Sequence, residues 1–308
     1  MPRMTFIDQW QTASQRNASS LCVGLDPEPE RLPAPWTHDT TRLFDFCAAI
    51  VDATADLVCA YKPQIAHFAA VGAETQLEKL INHIHRNAPG VPVILDAKRG
   101  DIGSTARYYA REAFERYGAD ALTVSPFMGA DSLDPYIDHY PERGLFVLCR
   151  TSNPGGEDLQ ALQLAAEGLH PHLATQGNAG PPQVSLAPSG GGSGEADSWG
   201  HLERVFERVA RLATGSWNRN GQIGLVTGAS RPDDIARIRA IAPDAPLLIP
   251  GIGAQGGDLL ATVRAARHRF LINASRSVLY ASSGPDFATA ARAEAVQLRA
   301  AIAAAMAA

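Results

Sequence analysis

Asp96, Lys98 and Asp101 stand close together in the run Val93-Ile94-Leu95-Asp96-Ala97-Lys98-Arg99-Gly100-Asp101. Side chains alternate along an extended strand, so Asp96 and Lys98 fall on one side of it, an acid held beside an amine. Taken alone, a D-x-K pair is an ion pair closing a strand. Here Lys62, which follows another apolar run, and Asp101 add charge to the same rim. Burying four ionisable groups together stabilises a protein poorly, so the set reads as functional. An ammonium kept protonated by acidic neighbours can deliver a proton, and a carboxylate among them is placed to repel another anion.

A second group of residues reads as a phosphate grip. The glycines of Pro250-Gly251-Ile252-Gly253-Ala254-Gln255-Gly256-Gly257 let backbone N–H groups approach an anion, and Arg276 supplies a fork for phosphate oxygens. Gly251, Gly253 and Gly256 also match the dinucleotide pattern G-x-G-x-x-G. That pattern should open the fold and be followed about twenty residues on by an acid for the ribose, whereas here it comes late and leads to Arg276. A phosphate monoester therefore fits better than a nicotinamide dinucleotide. No histidine pair has metal-ligand spacing, and neither G-x-S-x-G nor an activated cysteine context occurs.

The elements that must position these residues are short apolar runs, each ending in polar or glycine-rich residues and followed by a helical stretch. The runs are 21–25, 57–61, 91–95, 121–124, 145–149, 223–226, 246–249 and 270–272; the helical stretches are 41–55, 72–87, 104–117, 130–139, 201–218, 232–242 and 257–267. Eight such units predict one single-domain α/β fold, a closed (β/α)8 barrel, with an open doubly wound sheet as the alternative. In a barrel the active site lies at the C-terminal ends of the strands, where Asp26, Lys62, Asp96, Lys98, Ser152 and Arg276 stand. Residues 176–200, rich in Gly, Pro, Ser and Ala, interrupt the rhythm and read as a flexible surface insertion.

Composition narrows the class. A chain of 308 residues with 45% apolar and 19% charged residues can bury a large core. A net charge of -5 with dispersed basic residues predicts no nucleic-acid partner. The four cysteines lie far apart in apolar surroundings and read as reduced core thiols. The N-terminal stretch has no apolar export core, and charged residues break the Ala-rich stretch 287–308, so neither a signal peptide nor a membrane span is expected. The predicted location is cytoplasmic.

The motif Leu95-Asp96-Ala97-Lys98-Arg99-Gly100-Asp101-Ile102-Gly103-Ser104-Thr105-Ala106 resembles the long bacterial form of the orotidine 5′-phosphate decarboxylase family. Further matches are Val23-Gly24-Leu25-Asp26-Pro27, Tyr61-Lys62-Pro63-Gln64, Ser125-Pro126-Phe127-Met128-Gly129, Arg150-Thr151-Ser152-Asn153-Pro154-Gly155, the glycine-rich run 250–257 and Ser275-Arg276-Ser277. The resemblance implies conversion of orotidine 5′-phosphate (OMP) to UMP and CO₂, without metal or cofactor, by a homodimer with shared sites. It implies that Lys98 protonates C6, that Asp96 faces the substrate carboxylate, and that Lys62 and Asp101 complete the charged array. Asp26 and Thr105 would hold the ribose, and Ser152 and Gln255 the pyrimidine. Gly253, Gln255 and Arg276 would hold the phosphate, while Asp101, Ile102 and Thr105 would reach into the partner's site.

Two departures stand out: Ser275 where many relatives carry glycine, and the length of the 176–200 insertion. The rivals are a magnesium-dependent sugar-phosphate decarboxylase of the same superfamily, which has an acid where Lys62 stands, and a non-catalytic barrel that binds a nucleotide phosphate.

Overall fold

Short runs of Leu, Val, Ile, Cys and Phe form strands because parallel barrel strands are buried on both faces, where such side chains suffice along the whole length. The strands are β1 (Leu21–Leu25), β2 (Ala60–Pro63), β3 (Ile94–Arg99), β4 (Ala121–Val124), β5 (Gly144–Arg150), β6 (Ile223–Thr227), β7 (Leu247–Pro250) and β8 (Phe270–Ala274). The computed structural model describes residues 4–164, 203–252 and 257–308. All neighbouring strands pair in parallel, in the order β2-β1-β8-β7-β6-β5-β4-β3. Parallel bridges between Tyr61 and Val93 and between Gln64 and Asp96 join the two ends of that sheet. The architecture is the expected (β/α)8 barrel.

Helices α1 (Phe6–Arg16), α2 (Leu43–Thr54), α3 (Ile65–Ala69), α4 (Glu74–Asn87), α5 (Gly103–Arg111) and α6 (Asp134–His139) accompany the first half of the chain. The second half has α7 (Val205–Thr214), α8 (Pro232–Ile241), α9 (Leu259–Ala266), α10 (Arg276–Leu279) and α11 (Phe287–Ala307). No helix among the described residues is long and apolar enough to cross a membrane. The insertion expected over 176–200 lies outside the described residues.

Two strands differ most from the expected runs. The second begins at Ala60, not at residue 57, because the Leu57 N–H bonds back to the Thr54 carbonyl at 2.9 Å and so belongs to the turn closing α2. The third begins at Ile94 and continues to Arg99. Lys62, Asp96 and Lys98 therefore sit inside strands rather than after them. The helix expected over 104–117 is α5 followed by a π-helical turn, Glu112–Arg116.

The barrel interior is filled in layers. Cys22, Ala60, Ile94, Ala121, Phe146, Val226, Leu248 and Leu271, one from each strand, form an apolar cluster with Phe6 and Trp10 of α1. The Phe6 ring meets Phe146 edge-on at 5.6 Å, and a Cβ at Gly144 would overlap that ring. Helix α1 thus seals the N-terminal end of the barrel, and a second, larger core lies between strands and helices. Two residues further along the strands, on the same inward side, come Gly24, Lys62, Asp96, Thr123, Pro250 and Asn273. Polar groups crowd the layer next to the open mouth.

Candidate active site

Lys62 rises from the middle of β2 and is 4% exposed, with its Nζ 2.8 Å from Asp96 Oδ2. The Lys98 Nζ lies 2.7 Å from Asp96 Oδ1, and its side chain is about half exposed to the cavity. One carboxylate is thus clamped between two ammonium groups, one buried and one open to a ligand. Burial alone would push the Asp96 carboxyl up, but the charges of Lys62 and Lys98 outweigh it and hold the group well below the usual carboxylate range. Burial likewise opposes the Lys62 charge, and the fields of Asp96 and then Asp26 overcome it, so that the ammonium is held above its ordinary value.

Asp96 and Lys98 do share a side, but simple alternation is not the reason. Lys98 has φ +46°, in the left-handed region, and the register between β3 and β4 slips between Leu95 and Arg99. The strand is bulged where it carries the chemistry.

The same cavity is lined by Asp26, Asn273, Ser275 and Arg276. Asp26 follows β1 and leaves a buried carboxylate oxygen without a hydrogen-bond partner among the described residues, an acceptor open to a ligand hydroxyl. Arg276 opens α10 directly after β8. Serine fits at 275 because Gly24 faces it: a Cβ at Gly24 would overlap the Ser275 hydroxyl. Gly251 has φ +102°, a conformation suited to glycine, while Gly253 and Gln255 lie outside the described residues.

Other sequence-predicted residues stand elsewhere. The Asp101 carboxylate accepts the Ile102 N–H at 2.8 Å and does not line this cavity. Ile102 and Thr105 are exposed, as are Tyr108, Phe127 and Met128. One chain therefore brings together Lys62, Asp96 and Lys98 but not the fourth charge. Ser152 lines a separate cavity at the ends of β5 and β6, where the Ser230 hydroxyl donates to its carbonyl at 3.2 Å. Buried Arg150 braces that loop, bonding Asp234 at 2.8 Å and also Glu157.

Sequence reasoning missed Thr123 and Asn273. Thr123 is 2% exposed and its hydroxyl donates to Asp96 Oδ1 at 2.9 Å. Asn273 is buried at the cavity wall, with Oδ1 unpartnered among the described residues and its amide nitrogen 3.3 Å from the Ser275 hydroxyl. Counting two residues on from the inward apolar layer finds both.

The four cysteines are buried and form no disulfide, and burial pushes Cys22 up to about 12, which leaves it no nucleophile. His83 and His85 bond Asp52 and Asp120, at 2.7 and 2.9 Å, and His67 meets the Pro27 carbonyl at 3.1 Å. Among the described residues no group of His, Cys, Asp and Glu could hold a metal ion.

Comparison with known proteins agrees with this arrangement. The family model described as "Orotidine 5'-phosphate decarboxylase / HUMPS family" matches residues 19–182. The orotidine 5′-phosphate decarboxylase of Delftia acidovorans is 58% identical over 292 residues, 94% of either chain. That of Verminephrobacter eiseniae is 55% identical over 300 residues, covering 96% of this chain and 97% of its own. Among solved structures, Leishmania donovani OMP decarboxylase superposes with a TM-score of 0.76 at 35% identity, covering 99% of this chain and 100% of that one. The barrel, the carboxylate clamped by two lysines at its mouth and these likenesses together place the chain in the orotidine 5′-phosphate decarboxylase / HUMPS family.

Proposed function

We propose that this enzyme decarboxylates OMP to UMP and CO₂, completing pyrimidine nucleotide synthesis, with Lys98 as the proton donor to C6. The observation that carries this is the Lys62–Asp96–Lys98 clamp, with N–O distances of 2.8 and 2.7 Å, in a cavity that also holds Asp26 and Arg276. When the bond between C6 and the carboxylate breaks, its electron pair stays on C6. The half-exposed ammonium of Lys98 stabilises that charge and then transfers its proton there, leaving a neutral amine that solvent reprotonates. Asp96, fixed in its ionised form, faces the leaving carboxylate. Arg276, with Gly253 and Gln255 from the glycine-rich run, grips the phosphate, so that binding energy remote from C6 holds the carboxylate against Asp96. Asp26 takes the ribose hydroxyls, and Ser152 and Gln255 the pyrimidine.

The rival reading is a metal-dependent sugar-phosphate decarboxylase, and the named relatives favour the nucleotide. The local charges favour it as well. Asp96, the acid a cation would need at this spot, is already neutralised on both oxygens by lysines. The expected result is loss of the OMP absorbance band with stoichiometric formation of UMP at the same rate in excess EDTA. Dependence on added divalent metal, or turnover of a sugar phosphate in place of OMP, would overturn the assignment.

The reading takes the whole chain as one barrel and puts it in the cytoplasm, where thiols stay reduced. It also makes the enzyme a homodimer whose sites each borrow Asp101, Ile102 and Thr105 from the other subunit. Support comes from the exposure of Ile102 and Thr105, from the absence of Asp101 from the cavity lining of its own chain, and from the exposed Tyr108, Phe127 and Met128. Lys98→Ala and Asp101→Ala homodimers, each nearly inactive, should regain about a quarter of parental activity on re-equilibration at equal amounts, since half the dimers are hybrids and each hybrid has one intact site. No recovery after demonstrated subunit exchange would refute the shared site.

A further inference from the structure

Resting on the decarboxylase chemistry above, we propose that Thr123 is a positioning residue: its hydroxyl is the clasp that holds the bulge of β3 and thereby sets Lys98 against Asp96. The register makes the need plain. Leu95 faces Leu122 and Arg99 faces Val124, so the three residues Asp96, Ala97 and Lys98 have a single residue of β4, Thr123, opposite them. At the bulge a β4 side chain supplies the acceptor to the β3 backbone. The amides of Ala97 and Lys98 both donate to Thr123 Oγ1, at 3.0 and 2.9 Å. The hydroxyl donates in turn to Asp96 Oδ1 at 2.9 Å, the same oxygen that holds Lys98 Nζ at 2.7 Å.

A hydroxyl has one proton to give and two lone pairs to fill, and here all three are used. Valine, of the same shape, offers none of the three. Lys98 sits at φ +46°, which a non-glycine residue keeps only when its surroundings over-determine it. Two amide contacts on one oxygen supply that constraint, while β-branching fixes the rotamer of Thr123 itself. Burial at 2% exposure keeps water from substituting. Thr123 is not among the residues lining the cavity; it acts through Asp96 and Lys98.

The test compares Thr123→Val, which keeps the shape and removes the hydroxyl, with Thr123→Ser, which keeps the hydroxyl. Thr123→Val is expected to lower kcat for OMP about a hundredfold, because misplacing a reacting group by about an ångström costs that much. Its KM for OMP and its affinity for UMP should stay within about threefold, since the phosphate and ribose contacts lie elsewhere. Thr123→Ser should retain kcat within about threefold of the parent, and the Ala97 and Lys98 amides should exchange with deuterium faster in the valine variant only.

A valine variant with parental kcat overturns the inference. So does a loss of kcat and UMP affinity in step, or a serine variant as impaired as the valine one. Should Thr123→Val not fold, Thr123→Cys replaces it: a thiol is a weak donor and acceptor, so kcat about tenfold below that of the serine variant upholds the clasp, and equal kcat overturns it. Failure of the unmodified enzyme to turn over OMP would instead remove the decarboxylase reading itself, a result separate from any of these.

Discussion

Lys98→Ala is expected to lower kcat for OMP by at least about ten-thousandfold, since in the proposed mechanism the ammonium is both the proton source and the charge nearest the developing carbanion. UMP affinity should change by less than about tenfold, because the proposed phosphate and ribose contacts do not involve Lys98. Fold stability should barely move. Lys98 is half exposed, and Asp96 keeps its second ion pair with buried Lys62 when the Lys98 side chain is removed. Stopped-flow absorbance for turnover and calorimetric titration with UMP measure the two quantities. Turnover within about tenfold of the parent would refute the proton-donor role, since general acid catalysis alone contributes more.

Asp96→Asn is expected to fail on both counts. The substitution leaves Lys62 buried, with a neutral amide where its counter-charge stood and a second ammonium close by. Breaking a buried pair from one side typically costs about 3–5 kcal/mol, which urea unfolding at neutral pH would register directly. Catalysis should drop by at least about a thousandfold, because the proposed electrostatic strain on the substrate carboxylate would be gone and the anchor of Lys98 is weakened.

The sign of the pH dependence follows from the lowered Asp96 pKa. The ionised carboxylate's contribution to stability is fully present above the unfolded value near about pH 4 and fades as pH falls through the depressed folded value. The gap between parent and variant should therefore be widest near neutrality and narrow in acid. A gap that widened on acidification would contradict the assignment of Asp96 as the ionised partner of both lysines.

Much of the charged array was legible because its chemistry is local. Asp96 and Lys98 are near neighbours in sequence, Lys62 lies near the C-terminal end of β2 and Asp26 just beyond β1, so the rule that barrel sites lie at strand ends is enough to gather them. The meeting of Asp96 and Lys98 was foreseen for an incomplete reason. Two-residue alternation does not describe a strand whose Lys98 is left-handed, and a bulge is set by what the neighbouring strand offers. Thr123 was invisible for that reason: it lies in an ordinary apolar run, and only pairing with β3 gives its hydroxyl three partners. The second strand was placed three residues early because Leu57 and Val58 are as apolar as strand residues, while a backbone bond from Leu57 to Thr54 assigns that stretch to a turn.

The sequence by itself determined the eight alternating units and the acid–amine pair with its accompanying charges, because burial periodicity and strand-end placement act over a few residues at a time, while closure of the barrel rests on the bridges that join β2 to the β3 side. Tertiary structure alone decided how those charges are shared. It gave Lys62 the buried side of Asp96 and Lys98 the open side, set Asn273 in the cavity wall, fitted Ser275 against Gly24, and left Asp101 out of the cavity lining of its own chain. Each outcome depends on which strands lie side by side and in what register, a relation between residues far apart in the chain that no local pattern encodes.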